Sequence, residues 1–439
     1  MRSRLLAGGV LVLSAAVAWL AVLVTVAARV LQGVIVLSIV YVSYLAWEGW
    51  RTIRRARSAA AGEDGEPLDR PWVTVVVPAR DEAPVIADVL RDLAAQDYAD
   101  ASGPRFDIVV IDDGSSDETA AMAERAATAL GDRFHLVRRD PNGGARTKGA
   151  ALRHAHAALR GEVIAVLDAD SRLEPDYLAR AIRAWRRDPG AAALQTRRTE
   201  LNRHRGWLPA AQDEEQLMDL ASQCGRWATD GTAEVRGTGM FLRREVLERI
   251  GGWHPSHITE DLEVSTRLAN AGERVTLAPE AVLREEAVET LGGLWQQRMR
   301  WAEGSMRRLI DLGPGLLANG RLPLQRRLDF LVFMTEFLVP PLFVSTIVAS
   351  MLTVVLPRHA DWTVPVTLFI GYGAGTFLLA AAGLAATGER GWRVVGRAVR
   401  GSLFLSHWLV VVPIALLKIA FAAPTTEFTR TPRSPHRAP

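Results

Sequence analysis

The chain has 439 residues, 49% of them hydrophobic, and a mean hydropathy of +0.08, a balance that fits soluble and bilayer-spanning stretches in one molecule. Its formal charge of +3 is too small to point to nucleic acid, and its arginines gather beside apolar runs, as they do at a cytoplasmic leaflet. One cysteine, Cys224, excludes an internal disulfide.

Leu5 to Ala27 and Val30 to Trp47 are the first apolar runs, each near the ~20 residues a spanning helix needs. Arg2 and Arg4 precede them, Arg29 separates them, and Arg51, Arg54, Arg55 and Arg57 follow. Residues 1–50 are therefore expected to form a transmembrane hairpin with both ends in the cytoplasm. A cleaved signal peptide fits less well, because the first apolar core exceeds the usual ~7–15 residues and a second run follows at once. Residues 51–71 are basic, then small and polar, and read as a linker.

From Trp72 short β-branched runs alternate with helical stretches. Val73 to Val77, Ile108 to Ile111 and Val163 to Leu167 read as strands; Pro84 to Gln96, Glu118 to Leu130 and Thr147 to Leu159 read as helices. The alternation predicts an α/β domain over residues 72–302, with a mostly parallel sheet covered on both faces and a site beyond the carboxyl ends of its strands. Residues 303–328 read as an interfacial amphipathic segment, a helix over Glu303 to Leu312 followed by a Gly/Pro-rich break. Residues 329–423 hold further apolar runs at Phe330 to Leu356, Val364 to Ala386 and Ser402 to Ala422. Arg390, Arg393, Arg397 and Arg400 mark the loop before the last run as cytoplasmic. Three full spans would put the basic tail, residues 424–439, outside; the last run, interrupted by Pro413 and Lys418, is the least span-like. The expected placement is multi-pass in the cell membrane, with the α/β domain cytoplasmic.

Several motifs carry chemistry. Asp168-Ala169-Asp170 ends a strand, where alternate residues point the same way, so both carboxylates can serve Mg²⁺ or Mn²⁺ neutralising a diphosphate. The plainer reading is that Asp170 caps a following helix. Asp117 of Asp112-Asp113-Gly114-Ser115-Ser116-Asp117 can cap the helix after it, but capping leaves Asp112 and Asp113 unexplained. Carboxylates there can accept bonds from ribose hydroxyls or a pyrimidine N–H. Asp81 and Glu82 are placed alike at the end of the first strand. Asp261, in Ile258-Thr259-Glu260-Asp261, is the candidate general base, and a base opposite the leaving group gives inversion at the anomeric carbon. A helix start capped by Thr259 is compatible with that role. Gln297, Arg300 and Trp301 share a helix face, Arg300 suited to a diphosphate and Trp301 to a sugar ring; an Arg-Trp packing pair is the plainer reading. Of 52 basic residues only Lys148 and Lys418 are lysines. Lys148, in Gly143-Gly144-Ala145-Arg146-Thr147-Lys148-Gly149, is then either a chance survivor or a compact ammonium needed beside a nucleotide-sugar.

In order and spacing these motifs resemble the family-2 inverting glycosyltransferases with the GT-A fold, in the membrane-integrated branch of cellulose, chitin and hyaluronan synthases. The resemblance covers Trp72 to Trp301 closely and the flanking helices loosely. It implies that Asp112 or Asp113 contacts a uridine and that Asp168 and Asp170 belong to the metal and diphosphate site, with Asp81, Glu82, Lys148 and Arg300 on the donor. It implies Asp261 as base, and Gln297, Trp301 and Glu260 on the acceptor side. Phe428-Thr429-Arg430 is similar to the cytosolic gating loop of such enzymes. The implied partners are a nucleotide-sugar, a saccharide or lipid acceptor and the bilayer. Few apolar runs follow the domain, so addition of one or a few sugars to a lipid stands beside processive polymer secretion. A non-catalytic nucleotide-binding membrane scaffold, a pseudo-glycosyltransferase, is the alternative; intact carboxylates at every motif position argue against it.

Overall fold

The computed structural model describes residues 2–62, 69–140, 144–334, 337–355, 362–422 and 425. The strands are β1 (Val73–Ala79), β2 (Ala99–Asp100), β3 (Gly103–Pro104), β4 (Phe106–Asp112), β5 (Phe134–Arg138), β6 (Val163–Val166), β7 (Arg172–Leu173), β8 (Ala193–Glu200), β9 (Met240–Arg243) and β10 (Val275–Glu285). The helices begin with α1 (Arg2–Leu23) and α2 (Thr25–Gly62). Around the sheet lie α3 (Ile86–Ala94), α4 (Thr119–Ala126), α5 (Lys148–His154), α6 (Tyr177–Arg186), α7 (Trp207–Ala228), α8 (Arg244–Arg249) and α9 (Glu260–Asn270). Then come α10 (Leu291–Ala318), α11 (Leu324–Met334), α12 (Val339–Val355), α13 (Thr363–Ala386), α14 (Trp392–Leu405) and α15 (Trp408–Phe421).

The main sheet has eight strands in the order β5-β4-β1-β6-β9-β8-β10-β7. β5, β4, β1 and β6 are mutually parallel, as are β8 and β10; β9 runs antiparallel between these blocks, and β7 antiparallel at the edge. The sheet is thus mostly parallel, as expected. Alternation sorts each strand's side chains between two cores. Val73, Val75 and Val77 of β1 pack with Val89 and Leu90 of α3 and Leu178 and Ile182 of α6. Val76, Ile164 and Val166 face the other way, into a core with Leu152 of α5, Ala221 and Cys224 of α7 and Val264 of α9.

That second core also contains Ile53 of α2 and Ala386 of α13, so the apolar helices are built into the α/β domain. Gly49 and Gly225 allow it: an added Cβ would lie 2.1 Å from the Ala221 carbonyl oxygen and 2.3 Å from that of Leu45, respectively. The expected linker needs correction here, because Arg51 to Gly62 continue α2. That stretch is rich in Arg and Ala, which favour helix, and holds no Pro or interior Gly. The Gly/Pro-rich break after Leu312 is likewise absent: Pro314 sits inside α10, a single 28-residue helix.

Among the described residues, helices long and apolar enough to cross a bilayer are Ser3–Val22, Thr25–Gly62, Thr363–Ala386 and Trp392–Phe421, with α11 and α12 as a pair bent by 44°. α1 and α2 meet at Val24. Ala7 of α1 shares a cluster with Ala302 and Met306 of α10, whereas Ala21 shares one with Ile35 and Val364, so α1 leads away from the α/β domain and α2 returns to it.

Candidate active site

Loops from the carboxyl ends of β1, β4 and β6 converge on one cavity. Asp81 leaves β1 at φ 54°, a conformation an L-residue holds only under constraint. Its own carboxylate supplies the constraint, accepting the Ser116 N–H at 2.7 Å and the Ser116 hydroxyl at 2.9 Å. The Glu82 N–H donates to Thr119 Oγ1 at 2.7 Å and the Ala83 N–H to Asp117 Oδ2 at 3.2 Å, so the two loops form one wall. Burial would raise the Asp81 carboxyl, but the Ser116 bonds and Arg80 hold it below the usual range. Asp112 and Asp113 part company. Asp112 Oδ1 accepts the Ser115 N–H at 3.1 Å and lies off the cavity lining, whereas Asp113 lines it, with Arg139 donating to its Oδ1.

Asp168 and Asp170 lie just beyond β6, in a turn rather than on the strand as expected, because the Ser171 N–H bonds back to the Asp168 carbonyl at 3.0 Å. Short β7 follows, so Asp170 has no adjoining helix to cap. Both carboxylates line the cavity. Lys148 opens α5, where Thr147 Oγ1 caps by accepting the Ala150 N–H at 3.1 Å. Its ammonium donates to Asp168 Oδ1 at 2.5 Å and to the Gly237 carbonyl at 2.8 Å, and lies 3.6 Å from Glu260. Burial would lower the Lys148 pKa, yet Asp168 and Glu260 carry it above the usual lysine value, so it stays charged.

Glu260 and Asp261 start α9. Thr259 is the cap by position only: its hydroxyl has no hydrogen-bond partner among the described residues. It packs instead on Gly304 of α10, where an added Cβ would lie 2.4 Å from Thr259 Cγ2, and this close crossing brings the two helices together. Burial drives the Glu260 carboxyl up to about 7, with Lys148 opposing and Asp261 adding to the rise. Burial also raises Asp261, against the Leu262 N–H and Lys148. Gln297, Arg300 and Trp301 line the same cavity. Burial lowers the Arg300 pKa to about 10, against the pull of Glu260 and Asp168. The anticipated Arg-Trp packing pair is made by Arg298: its guanidinium lies 4.1 Å from the Trp301 ring centroid and donates to Gln297 Oε1 at 3.1 Å and to Glu215.

Sequence reading passed over the loop Arg236-Gly237-Thr238-Gly239, whose Thr238 Oγ1 accepts the Asp168 N–H at 3.0 Å. Paired glycines, both at positive φ (66° and 68°), were its signal. Arg198, Glu200, Gln216 and Glu285 were also passed over, although polar residues at alternate positions of a buried strand (Arg198, Glu200) mark a lined cavity. Phe428-Thr429-Arg430, Gly143 and the rest of the tail beyond Thr425 lie outside the described residues.

The cavity has a volume of about 1180 Å³. One part is walled by Asp113, Lys148, Asp168, Asp170, Asp261 and Arg300, and the same cavity continues along Ile35, Val42, Leu342, Leu368 and Leu379 of the apolar helices. Among the described residues no three His, Cys, Asp or Glu side chains gather to hold a metal. Two carboxylates nevertheless suit Mg²⁺ or Mn²⁺, which bind through one or two protein carboxylates and take further ligands from phosphates and water.

Residues 70–304 match the family model described as glycosyltransferase like family 2. The chain belongs to this glycosyltransferase family. It is 28% identical over 375 residues to a beta-monoglucosyldiacylglycerol synthase of Synechocystis, covering 84% of this chain and 76% of that one. A namesake from Trichormus variabilis is 30% identical, covering 82% and 76%. The poly-beta-1,6-N-acetyl-D-glucosamine synthase of Staphylococcus aureus is 26% identical over 57% of this chain and 59% of its own. A mannosyltransferase of Pyrobaculum calidifontis, solved in complex with GDP-Man and Mn²⁺, has the same fold: its TM-score is 0.56 at 20% identity, covering 89% of this chain and 99% of that one.

Proposed function

We propose that this glycosyltransferase moves a sugar from a UDP-sugar to a hydroxyl of a lipid acceptor, one addition per encounter and with inversion. The observation that carries the reading is the single cavity in which the carboxylate, Lys148 and Arg300 cluster opens along apolar side chains of α2, α12 and α13. Acyl chains suit such a wall, and the glycolipid-synthase names of the relatives agree with it.

The reaction is a single displacement. The acceptor oxygen bonds to the anomeric carbon as the bond from that carbon to the diphosphate oxygen breaks. Asp261 takes the hydroxyl proton, and the nucleoside diphosphate departs from the opposite face. Lys148 and Arg300 stabilise the charge that grows on the diphosphate. Asp168 and Asp170 would hold Mg²⁺ or Mn²⁺, which supplies Lewis-acid neutralisation of the same charge. Asp113 and Asp81 lie where a nucleoside would be received, and Trp301 offers its face to a sugar ring.

We place the catalytic domain on the cytoplasmic side, with crossings by α1, α2, the α11–α12 pair and α13. α14 and α15 are read as lying along the bilayer surface. Arg397 Nε and Arg400 Nε donate to Glu214 at 2.9 and 2.8 Å, and Lys418 Nζ lies 3.0 Å from Glu303, so both helices are held to residues of the catalytic side.

The test is the full chain in nanodiscs with a panel of UDP-sugars, dioleoylglycerol and Mn²⁺ or Mg²⁺, read by UDP release and by the anomeric configuration of the glycolipid. Release of UDP with a long polymer and no glycolipid would reject the acceptor class; a retained anomer would reject the displacement mechanism.

A further inference from the structure

The last residues of β8 and β10, Glu200 and Glu285, are direct register partners in neighbouring parallel strands. Both side chains line the cavity, and both accept from one donor: Gln216 Nε2 bonds Glu200 Oε1 at 3.2 Å and Glu285 Oε1 at 3.0 Å. Glu200 is 5% exposed, and its second oxygen, Oε2, is buried with no hydrogen-bond partner among the described residues. The nearest cation is Arg198, 3.6 Å from Glu285. Like charges set opposite each other destabilise a sheet, and an orphaned buried carboxylate oxygen costs more, so this arrangement is poor as scaffold alone. It is well suited to a ligand. Two carboxyls sharing one proton present an O–H donor and free acceptor lone pairs side by side, the complement of adjacent hydroxyls.

We propose that Glu200 and Glu285 form a subsite for a second hydroxyl-bearing unit of the acceptor, so that the enzyme prefers a lipid whose head group is a polyol or sugar over one with a single hydroxyl. The inference rests on the lipid-acceptor reading above and narrows it. Its place in the cavity fits. Gln216 belongs to α7, whose preceding residue Glu215 accepts from Arg298, the cation stacked on Trp301. The subsite therefore adjoins the face on which an acceptor sugar can stack, and α7 is the helix packed against α2 and α13. Protonation agrees: burial and then Glu285 push Glu200 well above the carboxylate range, and burial takes Glu285 to about 7 against Arg198.

The experiment measures dissociation constants of the full chain in nanodiscs for UDP-glucose and, with and without UDP, for glucosyldiacylglycerol and dioleoylglycerol, in wild type and in E200Q/E285Q. The amides keep shape and can still bond Gln216, and they remove the like-charge contact, so folding is preserved. Wild type should bind the glycosylated lipid about 10–10²-fold more tightly than dioleoylglycerol, and the variant should lose that preference. Equal binding of the two lipids by wild type, or an unchanged preference in the variant, overturns the subsite. Weakened UDP-glucose binding by the variant, with lipid preference intact, would assign the pair to the donor sugar instead. Because the readout is binding, a wild type that keeps the preference but transfers no sugar would sink the proposed reaction and leave the subsite standing.

Discussion

Lys148 faces three carboxylates. Its ammonium bonds Asp168, lies 3.6 Å from Glu260, and lowers Asp261 beside it. A base must be ionised to accept a proton, so activity should rise with pH through the raised Asp261 value and flatten above it. Asp261→Asn should keep UDP affinity while slowing transfer about 10²–10⁴-fold, read as kcat at saturating donor. If UDP affinity fell and kcat did not, Asp261 would be a binding residue. Removing the cation works in the other direction: Lys148→Met takes away a charge that lowers both Glu260 and Asp261, so the rising limb of kcat against pH should move to higher pH. Lys148→Arg keeps the charge but not the compact geometry, and should raise the donor KM without moving that limb as far. Glu260 also links pH to stability. Its carboxyl is raised from 4.5 to about 7 in the folded chain, so the native state binds the extra proton. That contribution is whole below the unfolded value and fades as pH rises through about 7. Melting temperatures measured across this interval should therefore fall less steeply for Glu260→Gln than for wild type.

At the scale of elements, the crossing of α9 and α10 sets the distance between Asp261, the proposed base, and the Arg300-Trp301 face. Gly304 faces Thr259 where an added Cβ would meet Cγ2 at 2.4 Å and Oγ1 at 2.7 Å, too close for any side chain there. Gly304→Ala should push the helices apart and reduce kcat at least about tenfold, since misplacement near 1 Å is worth more than that. Thr259→Ala added to it should restore part of the loss, a coupling that a double-mutant cycle reads directly. Additive losses would mean that the contact does not position the base. These elements also show what the sequence could reveal. The strands ending at Asp112 and before Asp168, and the helix face of Gln297, Arg300 and Trp301, were legible because β-branched runs and helical spacing are local signals. Glu200, Glu285 and Gln216 were not, because their meeting depends on the pairing of β8 with β10 and on α7 crossing both, which no local pattern encodes. Arg51 to Gly62 misled for the opposite reason: polar composition read as linker, while tertiary contact through Ile53 keeps it helical.

For the whole molecule the question is how many times the chain crosses the bilayer. Apolar length alone counts Trp392–Phe421 as a span, whereas the basic residues before and after it ask for one side. The contacts side with charge. Arg397 and Arg400 close on Glu214 of α7, Trp408 donates its indole N–H to Glu215 at 3.0 Å, and Lys418 and Thr425 meet Glu303 of α10. Burial would raise the Glu303 carboxyl, but its bonds to Thr425, Lys418 and Arg307 hold it down to about 2, so it is an ionised anchor at any working pH. At the other end, Arg4 Nη2 donates to the Ala422 carbonyl at 3.0 Å, which brings the start of α1 to the same place. These contacts support the proposed even number of crossings, with Arg4 and Thr425 both on the side of the catalytic domain. Single cysteines in a Cys224→Ser background test this with a membrane-impermeant thiol reagent on intact cells. Trp362→Cys, at the entrance of α13, should label at once. Arg390→Cys and Thr425→Cys should label only after the membrane is permeabilised. Prompt labelling of Thr425→Cys with protection of Arg390→Cys would make α14–α15 a true span and put the tail outside, beyond reach of any nucleotide.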